Sequence, residues 1–332
     1  MQISEMNQNA TSTRTSRTQE PIVQATGLTK RYGSAEVVKD VSFEVRRGDV
    51  FGFLGSNGSG KSTTIGMLLG LVQPTAGTIS LFGGTPEQRA DGLARIGAII
   101  ESPAFYPYLS GRDNLKALAY LRPGVTAERI DEVLEIVGLR DAATKRYGNY
   151  SLGMKQRLGI GWTLLHDPEL LVLDEPTNGL DPAGMQEIRH LILRLAEQGK
   201  TIFISSHLLN EIEQVCDSVA IIQRGRIIAA GSVADLVGRE QRLIVRTPHP
   251  DDAANVLRQI EGIERVEQRA TEIIITAPTV RPSLINALLV GAGVEVDEQR
   301  QSQNTLEQAF LELTGNSQLQ PDLQPQPDVV PS

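Results

Sequence analysis

The sequence predicts an α/β fold, because short apolar strands alternate with helices along most of the chain. An apolar strand at 49–54 runs into a glycine-rich turn, and apolar side chains then recur at helical spacing over 61–71. The alternation returns with a strand at 170–173, a helix at 182–198 and a strand at 201–205. Strands joined by helices pack into a largely parallel sheet that helices cover on both faces.

Further segments complete this domain, which we place at residues 21–238. Stretches rich in β-formers at 22–26 and 41–45 precede the first apolar strand. From about 103 to 166 the pattern is mostly helical, and Thr126 is expected to begin a helix. The apolar face of that helix consists of Ile130, Val133, Leu134 and Val137. The sequence therefore predicts a helix-rich insertion in the middle of the sheet.

A second, smaller α+β domain is predicted at 239–315. Its elements are expected as strand, helix, strand pair, helix and strand at 242–246, 251–260, 266–276, 281–289 and 294–298. This βαββαβ order is that of the ferredoxin-like unit. A last helix is expected at 305–314, with Leu306, Ala309, Phe310 and Leu313 on one face. No motif in this domain carries recognisable chemistry, so packing or partner contact is its expected role.

Composition narrows the classes of function. The formal net charge is −8, which disfavours a nucleic-acid partner because phosphate binding requires a basic face. The single cysteine, Cys216, excludes an intrachain disulfide and is expected to be a small buried apolar residue. No stretch reaches the roughly 18 to 20 apolar residues of a membrane-spanning helix. The polar ends, 1–20 and 316–332, are predicted to be disordered tails.

A phosphate-binding loop is predicted at 55–62. Its sequence, Gly-Ser-Asn-Gly-Ser-Gly-Lys-Ser, matches the pattern G-x-x-x-x-G-K-[ST] between a strand and a helix. Glycines let backbone N–H groups turn towards an anion, and the start of the helix adds its positive dipole end. Lys61 is expected to reach the β- and γ-phosphates of a nucleotide, and Ser62 to offer its hydroxyl to Mg²⁺. The expected nucleotide-binding residues of this segment are Ser56, Asn57, Gly58, Ser59, Gly60, Lys61, Ser62 and Thr63.

An acidic pair follows the strand at 170–173. Asp174 and Glu175 fall at its carboxyl end, where open α/β sheets hold their ligands. Asp174 is expected to bind the Mg²⁺ shell, and Glu175 to orient or deprotonate the attacking water. Such a pair is often only a solvated turn, but a phosphate loop in the same sheet favours the catalytic interpretation.

Further motifs resemble those of the ATP-binding cassette (ABC) ATPases. Residues 151–157, Ser-Leu-Gly-Met-Lys-Gln-Arg, resemble the signature motif of that family, and 174–182 resemble its acidic strand and the following loop. Ser-Ser-His at 205–207 matches its switch histidine, and Tyr32 lies where the family stacks an aromatic ring on adenine. The resemblance covers about residues 22–238.

The resemblance implies a P-loop NTPase fold of the ABC type: a mixed, largely parallel sheet with an antiparallel β-subdomain and a helical subdomain. It also implies that two cassettes sandwich two ATP molecules and that His207 contacts the γ-phosphate as a second catalytic residue. Ser151 precedes a helix that its side chain can cap. The resemblance implies that the γ-phosphate of an ATP bound to a second subunit faces the start of this helix. The alternative is a helix cap without a ligand. The further residues implied to bind nucleotide are Tyr32, Ser151, Gly153 and Asp181.

The sequence departs from the family pattern at two places. Glu101 replaces the usual glutamine, which contacts Mg²⁺ and the attacking water, and this adds a negative charge near two other carboxylates. The signature motif has Leu152 and Met154 where glycine and glutamine are usual, which makes it more apolar. The implied metal ligands are Ser62, Glu101 and Asp174.

The type of partner is also implied. Glu101 followed by Ala-Phe-Tyr-Pro at 104–107, together with the ending at 306–313, resembles the bacitracin-resistance and lantibiotic-immunity type of exporter ATPase. This implies a peripheral subunit at the cytoplasmic face of the cell membrane, which is a homodimer or is paired with a second ATPase subunit, and which binds a separate polytopic permease. We expect Phe105, Tyr106 and Tyr108 to form the docking surface, with simple packing of the insertion onto the sheet as the alternative.

Two other classes of function compete with the transporter. ABC-type ATPases that act on chromosomes separate the phosphate loop from the signature by a long coiled coil, and those that act on ribosomes usually carry two cassettes in one chain. Here about ninety residues intervene, without sustained heptads, and one cassette is present. A non-hydrolysing nucleotide sensor is disfavoured because Glu175 and His207 are both present.

Overall fold

The computed structural model describes residues 20–85, 88–101, 103–122, 124–237, 241–277, 280–303, 305–307 and 310. The chain divides into two compact units, the first ending at Asp235 and the second beginning at Leu236. Apart from Glu20, the tails predicted at 1–20 and 316–332 lie outside the described residues, as does most of the helix predicted at 305–314. None of the helices in the described ranges has the length and apolar character of a membrane span.

Strands and helices alternate in the first unit. Its strands are β1 (Pro21–Tyr32), β2 (Ala35–Arg46), β3 (Val50–Leu54), β4 (Ala76–Leu81), β5 (Ile96–Ile99), β6 (Leu170–Asp174), β7 (Thr201–Ser206), β8 (Ser218–Gln223) and β9 (Arg226–Ser232). Its helices are α1 (Lys61–Leu68), α2 (Arg89–Ala94), α3 (Gly111–Ala119), α4 (Ala127–Ile136), α5 (Leu152–Leu164), α6 (Pro182–Glu197), α7 (Leu209–Val215) and, crossing into the second unit, α8 (Val233–Val237).

Six of the strands form a central sheet in the order β5-β6-β7-β3-β8-β9. Neighbours from β5 to β8 run parallel, and β9 returns antiparallel to β8. Every residue of β3 and β6 is buried, which explains why both strands are continuous apolar runs and do not alternate with polar residues. The predicted α/β fold with a largely parallel sheet is confirmed.

A second, antiparallel sheet in the order β2-β1-β4 shares its core with the central sheet. The ring of Phe43 in β2 lies 5.6 Å from Phe51, 5.4 Å from Phe53 and 6.0 Å from Phe203, measured between centroids. Each buried ring contributes about 1.5–3 kcal/mol by leaving water. This aromatic cluster joins the two sheets and supports β3, from which the phosphate loop emerges.

The helical insertion contains α3, α4 and α5. Each of these helices begins after a hydroxyl residue, Ser110, Thr126 or Ser151, whose side chain accepts a hydrogen bond from the N–H three residues further on. The helix start predicted at Thr126 is confirmed. The apolar face predicted for α4 is also confirmed, because its members Ile130, Val133, Leu134 and Val137 are buried.

The second unit has six regular elements in the βαββαβ order. They are β10 (Gln241–Arg246), α9 (Pro250–Leu257), β11 (Arg265–Arg269), β12 (Glu272–Thr276), α10 (Pro282–Gly291) and β13 (Glu298–Gln303). The sheet order is β11-β12-β10-β13, with antiparallel neighbours.

One strand of this unit was predicted in the wrong place, at 294–298. Val294 is buried, but its N–H donates to the carbonyl of Leu289, so it closes the end of α10 and does not begin a strand. The actual strand, β13, is polar and lies at the edge of the sheet, where it pairs through its backbone with β10. The apolar residues from Val294 onwards therefore belong to a loop after α10, whereas the polar strand β13 is formed by backbone pairing.

Candidate functional site

The carboxyl ends of three neighbouring strands, β6, β7 and β3, lie at one edge of the central sheet. Asp174 pairs with Ser205 across β6 and β7, and Ser206 pairs with Leu54 across β7 and β3. The predicted phosphate loop at 55–62 follows Leu54 directly. Residues that are far apart in the sequence therefore converge at this edge.

Glycines with positive φ shape the phosphate loop. Gly58 has φ 77° and Gly60 has φ 110°, conformations that L side chains rarely adopt. At Gly60 space is also limited, because a Cβ would lie 2.9 Å from the carbonyl oxygen of Val37. The helix α1 begins directly after Gly60, so its unpaired N–H groups lie at the end of the loop. The exposed residues of this segment are Ser56, Asn57, Gly58 and Ser62.

Lys61 is buried, with only 6% of its surface exposed. Its Nζ donates to the carbonyl oxygens of Gly55 at 2.6 Å and Ser56 at 3.3 Å. It also lies 3.2 Å from Oε1 of Glu175, an ion pair in which Oε1 does not meet hydrogen-bond geometry. A buried ammonium requires such partners, so the loop and the acidic strand are linked through this one charge.

Glu175 adopts a left-handed backbone conformation, with φ 48°. Such a conformation costs a non-glycine residue about 1–3 kcal/mol and persists where its surroundings hold it. Its N–H donates to the carbonyl of Ser205 at 3.2 Å and to the hydroxyl of Ser205 at 3.0 Å. On the other side, Oε2 lies 2.8 Å from Nδ1 of His207. The strained turn therefore places the Glu175 carboxylate between Lys61 and His207.

Asp174 and Ser62 provide a donor set that fits Mg²⁺. Asp174 is buried, and its Oδ1 accepts a hydrogen bond from the Ser205 hydroxyl. Within the described ranges no group of three or more His, Cys, Asp or Glu side chains could hold a metal ion. Mg²⁺ does not need such a group, because it is usually bound by one or two carboxylates together with substrate phosphates and water. The fit is therefore to an ion that arrives with a nucleotide.

Comparisons with known proteins agree with this geometry. Residues 38–178 match the family model described as ABC transporter. The chain is 44% identical over 298 residues to the bacitracin transport ATP-binding protein BcrA of Bacillus licheniformis, covering 89% of this chain and 97% of that protein. The chain belongs to the ABC transporter ATP-binding proteins. Its activity is ATP hydrolysis coupled to transport.

Two further similarities support this membership of the ABC family. The chain is 44% identical over 201 residues to the lantibiotic transport ATP-binding protein SrtF of Streptococcus pyogenes, covering 60% of this chain and 86% of that protein. A solved structure of an ATP-binding subunit of an ABC transporter has a TM-score of 0.58 and 30% identity, covering 65% of this chain and 91% of that one. The predicted resemblance to bacitracin and lantibiotic transport ATPases is confirmed.

The signature motif of this ABC subunit opens α5. Ser151 caps the helix by accepting a hydrogen bond from Met154 N–H at 3.3 Å. At Gly153, a Cβ would find its nearest neighbour, Cα of Gly184, at 3.9 Å. The fold of its own chain therefore does not require glycine there. The nucleotide contacts assigned to Ser151 and Gly153 involve a second cassette and stay predictions.

Tyr32 and Asp181 are the other residues that the sequence associates with nucleotide. Tyr32 ends β1 and is 52% exposed, with Nζ of Lys30 4.9 Å from its ring centroid. Asp181 caps α6, because its Oδ1 accepts a hydrogen bond from Gly184 N–H at 2.9 Å. The adenine contact of Tyr32 and the nucleotide contact of Asp181 stay predictions, as does the contact of the half-buried Thr63.

Glu101 lies just after β5, the strand next to β6 in the central sheet. It is exposed and has a left-handed φ of 60°, so it is in a turn that leaves the sheet edge. The contacts of the described residues do not join its side chain to Asp174 or Glu175 by a hydrogen bond or an ion pair. Its role as a metal ligand stays a prediction.

The aromatic residues that follow Glu101 separate into two kinds. Phe105 is half-buried and packs edge-on against Tyr147, with ring centroids 5.2 Å apart. Tyr106 and Tyr108 are 52% and 65% exposed, and their centroids are 5.7 Å apart. Phe105 therefore packs within the insertion, whereas the alternative given for the three rings was packing of the insertion onto the sheet. Tyr106 and Tyr108 are exposed, and their contact with a partner stays a prediction.

Sequence reasoning missed two polar side chains that support the site. Ser205 was noted only as part of a motif, yet its hydroxyl bonds both Asp174 and the N–H of Glu175. Glu211 in α7 was not considered, although it is buried and accepts a hydrogen bond from the hydroxyl of Thr177. Its signal in the sequence is a carboxylate on the apolar side of a short helix.

Proposed function

We propose that this ABC subunit cleaves ATP with Glu175 as general base and His207 as its partner, and that two cassettes close around ATP to drive export through a separate permease. The observation that carries the proposal is the position of the Glu175 carboxylate between Lys61 and His207, directly after the buried Asp174. The similarity to proteins named for bacitracin and lantibiotic transport supports an antibiotic peptide or a drug as the exported substrate.

The carboxylate of Glu175 accepts a proton from the water that attacks the γ-phosphate. His207 holds this carboxylate in place through Nδ1, and its Nε2 can donate to a phosphate oxygen when the ring carries a proton there. A positioned general base typically accounts for about 10²–10⁴ of the rate. The residues of β6 and β7 therefore supply the proton acceptor and its orientation.

Lys61 connects the binding of ATP to the release of the Glu175 carboxylate. In this structure it pairs with Oε1 of Glu175, and a triphosphate attracts it more strongly because it carries more negative charge than one carboxylate. Transfer of Lys61 to the β- and γ-phosphates releases Oε1 for the attacking water. Ser62 and Asp174 would hold Mg²⁺, with Glu101 as a third ligand. Bound Mg²⁺ neutralises the charge on the phosphate oxygens.

The test is Glu175→Gln, with the exposed Glu197→Gln in α6 as a matched control. The amide keeps the shape and a hydrogen-bond acceptor but cannot take a proton, so we expect ATP turnover to fall by about 10²–10⁴. ATP affinity should be retained or increased, because the amide no longer holds Lys61 by charge. Near-normal turnover in Glu175→Gln would remove the general-base assignment. Glu197→Gln should behave as wild type.

We further propose that the nucleotide is shared between two cassettes. Ser151 and Gly153 lie at the start of α5, where the helix dipole favours an anion and where glycine has no role in the packing of its own chain. Specific ATPase activity should therefore rise with protein concentration until dimers form. Ser151→Arg should abolish hydrolysis while the monomer still binds ATP. A specific activity that stays constant at concentrations far below dimerisation contradicts a shared site.

We propose Tyr106 and Tyr108 as the docking surface for the permease at the cytoplasmic face of the membrane. Their loop is held firmly: Asn114 accepts a hydrogen bond from Tyr106 N–H at 2.8 Å and donates to the carbonyls of Tyr106 at 3.0 Å and Ser110 at 2.9 Å. Rigid, exposed aromatic rings lose little entropy on binding and are typical interface anchors.

Serine at both tyrosine positions tests the docking surface. The double variant should leave the membrane fraction of cells that contain the permease, with unchanged melting temperature and ATP binding, because both rings are exposed. The matched control is Tyr120→Ser, another exposed tyrosine of the insertion. A large loss of thermal stability, or membrane retention equal to the control, would place the docking surface elsewhere.

A further inference from the structure

Glu211 is a buried carboxylate that the proposed chemistry does not use. It belongs to α7 and is 7% exposed. It lines a small cavity whose other walls include Ile192, Ile204 and Val215. Among the described residues its Oε1 has no hydrogen-bond partner. The cavity is also lined by Arg189, Thr177 and Ser206. Burial of a carboxylate is costly unless such polar groups bind it, so its hydrogen bonds show what holds it here.

The other oxygen of this carboxylate bonds two segments that flank the proposed catalytic pair. Oε2 accepts a hydrogen bond from Oγ1 of Thr177 at 2.5 Å and lies 3.5 Å from Oγ of Ser206. Thr177 is two residues after Glu175, and Ser206 directly precedes His207. One side chain thus contacts both the turn that carries the base and the strand end that carries the histidine.

The turn after Glu175 needs such an anchor. Asn178 N–H donates to the carbonyl of Glu175, and Leu180 N–H donates to the carbonyl of Thr177, so residues 175–180 form consecutive tight turns. The left-handed conformation of Glu175 is held from one side by Ser205. The Thr177 hydroxyl bond to Glu211 holds it from the other side. A strained residue persists only where its surroundings fix it, and here two of the fixing contacts are side-chain hydrogen bonds.

We propose that Glu211 is a positioning residue for ATP hydrolysis. Through Thr177 and Ser206 it keeps Glu175 and His207 at hydrogen-bond distance. This inference rests on the catalytic roles proposed for Glu175 and His207. Glu211 does not touch substrate or the reacting atoms; its effect is on the geometry of the residues that do.

The test compares variants that keep or remove the hydrogen bond. Glu211→Leu removes the acceptor in a cavity that is already largely apolar, whereas Glu211→Gln keeps an acceptor oxygen. Thr177→Val removes the donor from the other side, and Thr177→Ser keeps it. The purified 332-residue chain is assayed for kcat, KM for ATP and melting temperature. Gln214→Leu, at an exposed position of the same helix, is the matched control.

We expect Glu211→Leu and Thr177→Val each to lower kcat by about 10- to 100-fold, because small displacements of catalytic groups have effects of this size. KM for ATP should change little. The melting temperature of Glu211→Leu should change little, because removal of a buried carboxylate offsets the loss of its hydrogen bond. Thr177→Val should melt at a lower temperature, because it leaves the buried carboxylate with one partner fewer. Glu211→Gln, Thr177→Ser and Gln214→Leu should stay within about threefold of wild type. The double variant Thr177→Val/Glu211→Leu should be no slower than the slower single variant, because both changes remove one bond.

The results distinguish failure of the positioning role of Glu211 from failure of the catalytic role of Glu175. Wild-type kcat in Glu211→Leu and Thr177→Val, together with an inactive Glu175→Gln, overturns the positioning role alone. A kcat loss in Glu211→Leu and Glu211→Gln that only follows a fall in melting temperature, with Thr177→Val unaffected, also overturns it. Normal turnover in Glu175→Gln overturns the catalytic assignment on which the inference rests.

Discussion

Replacement of Gly153 by alanine should lower ATP turnover without lowering the stability of the fold. Gly153 is the second residue of α5, and its φ lies outside the positive range that favours glycine. A Cβ would meet only Cα of Gly184 at 3.9 Å and Cδ2 of Leu180 at 4.0 Å, which are ordinary van der Waals contacts. The chain itself therefore has room for the methyl group.

The magnitude follows from these contacts. Alanine in a helix is more stable than glycine by about 0.5–1 kcal/mol, because less backbone entropy is lost on folding. In a unit of this size, 1 kcal/mol changes the melting temperature by about 2–4 °C, so Gly153→Ala should melt at the same temperature or up to about 4 °C higher. If a partner nucleotide contacts the backbone there, the methyl group displaces it by about 1 Å, and turnover should fall by about 100-fold.

Differential scanning calorimetry and an ATPase assay on the same preparation measure both effects. Gly291→Ala is the control, because it also lies in a helix, α10, with no atom within 4 Å of its Cβ. Any gain in stability from Gly291→Ala concerns the second unit, and turnover should stay unchanged. A stable Gly153→Ala with wild-type turnover would refute the reasoning that a ligand approaches this position. A fall in melting temperature would show that the packing around α5 is tighter than described.

Three other predictions concern stability and reactivity. Hydrogen bonds from Arg95, and then from Arg47, lower the pKa of Glu169 to about 2, so the stabilisation from this carboxylate is complete above about pH 4.5 and is lost as the pH falls towards 2. Glu169→Gln should therefore be less stable than wild type at pH 7, by about 1 kcal/mol or less because the group is partly exposed. Urea unfolding should show that this difference disappears near pH 2. A difference that does not depend on pH contradicts the prediction. Burial, together with nearby carboxylates, raises the pKa of the Cys216 thiol. A thiol reagent at pH 8 should therefore label Cys216 only after denaturation. Rapid labelling of the native protein would contradict its burial. Asn114→Ala removes hydrogen bonds to four backbone groups at a fully buried position and should lower the free energy of unfolding by about 2–4 kcal/mol. The exposed Asn149→Ala should be neutral in the same thermal melt.

The sequence predicts the positions of those site residues that lie beside the end of a single strand. Lys61, Asp174 and His207 all follow short apolar strands at their carboxyl ends, and parallel strands bring such ends to one edge. Local pattern is sufficient there, because the chemistry of each residue and the direction of its strand both appear within a few positions. The same holds for the helix caps Thr126 and Ser151.

Contacts between strands could not be predicted in this way. The bond from Ser205 to Asp174 exists because β6 and β7 are neighbours, and the bond from Thr177 to Glu211 exists because α7 packs beside them. Strand order depends on packing of the whole sheet, which no short pattern encodes. The misplaced strand in the second unit has a related cause, since an edge strand is formed by backbone pairing that polar residues such as those of β13 also allow.

The path of the chain between β5 and β6 has an evolutionary consequence. The segment 103–150, including the exposed Tyr106 and Tyr108, leaves after β5 at the margin of the central sheet and returns before β6. The strands β3, β6 and β7, beside whose ends Lys61, Asp174 and His207 lie, pair with one another without any residue of this segment. If Tyr106 and Tyr108 contact the permease as proposed above, mutations in this segment would change which membrane protein binds while Lys61, Asp174 and His207 stay as they are. A single ATPase core would then serve transporters for different cargoes through changes in this segment.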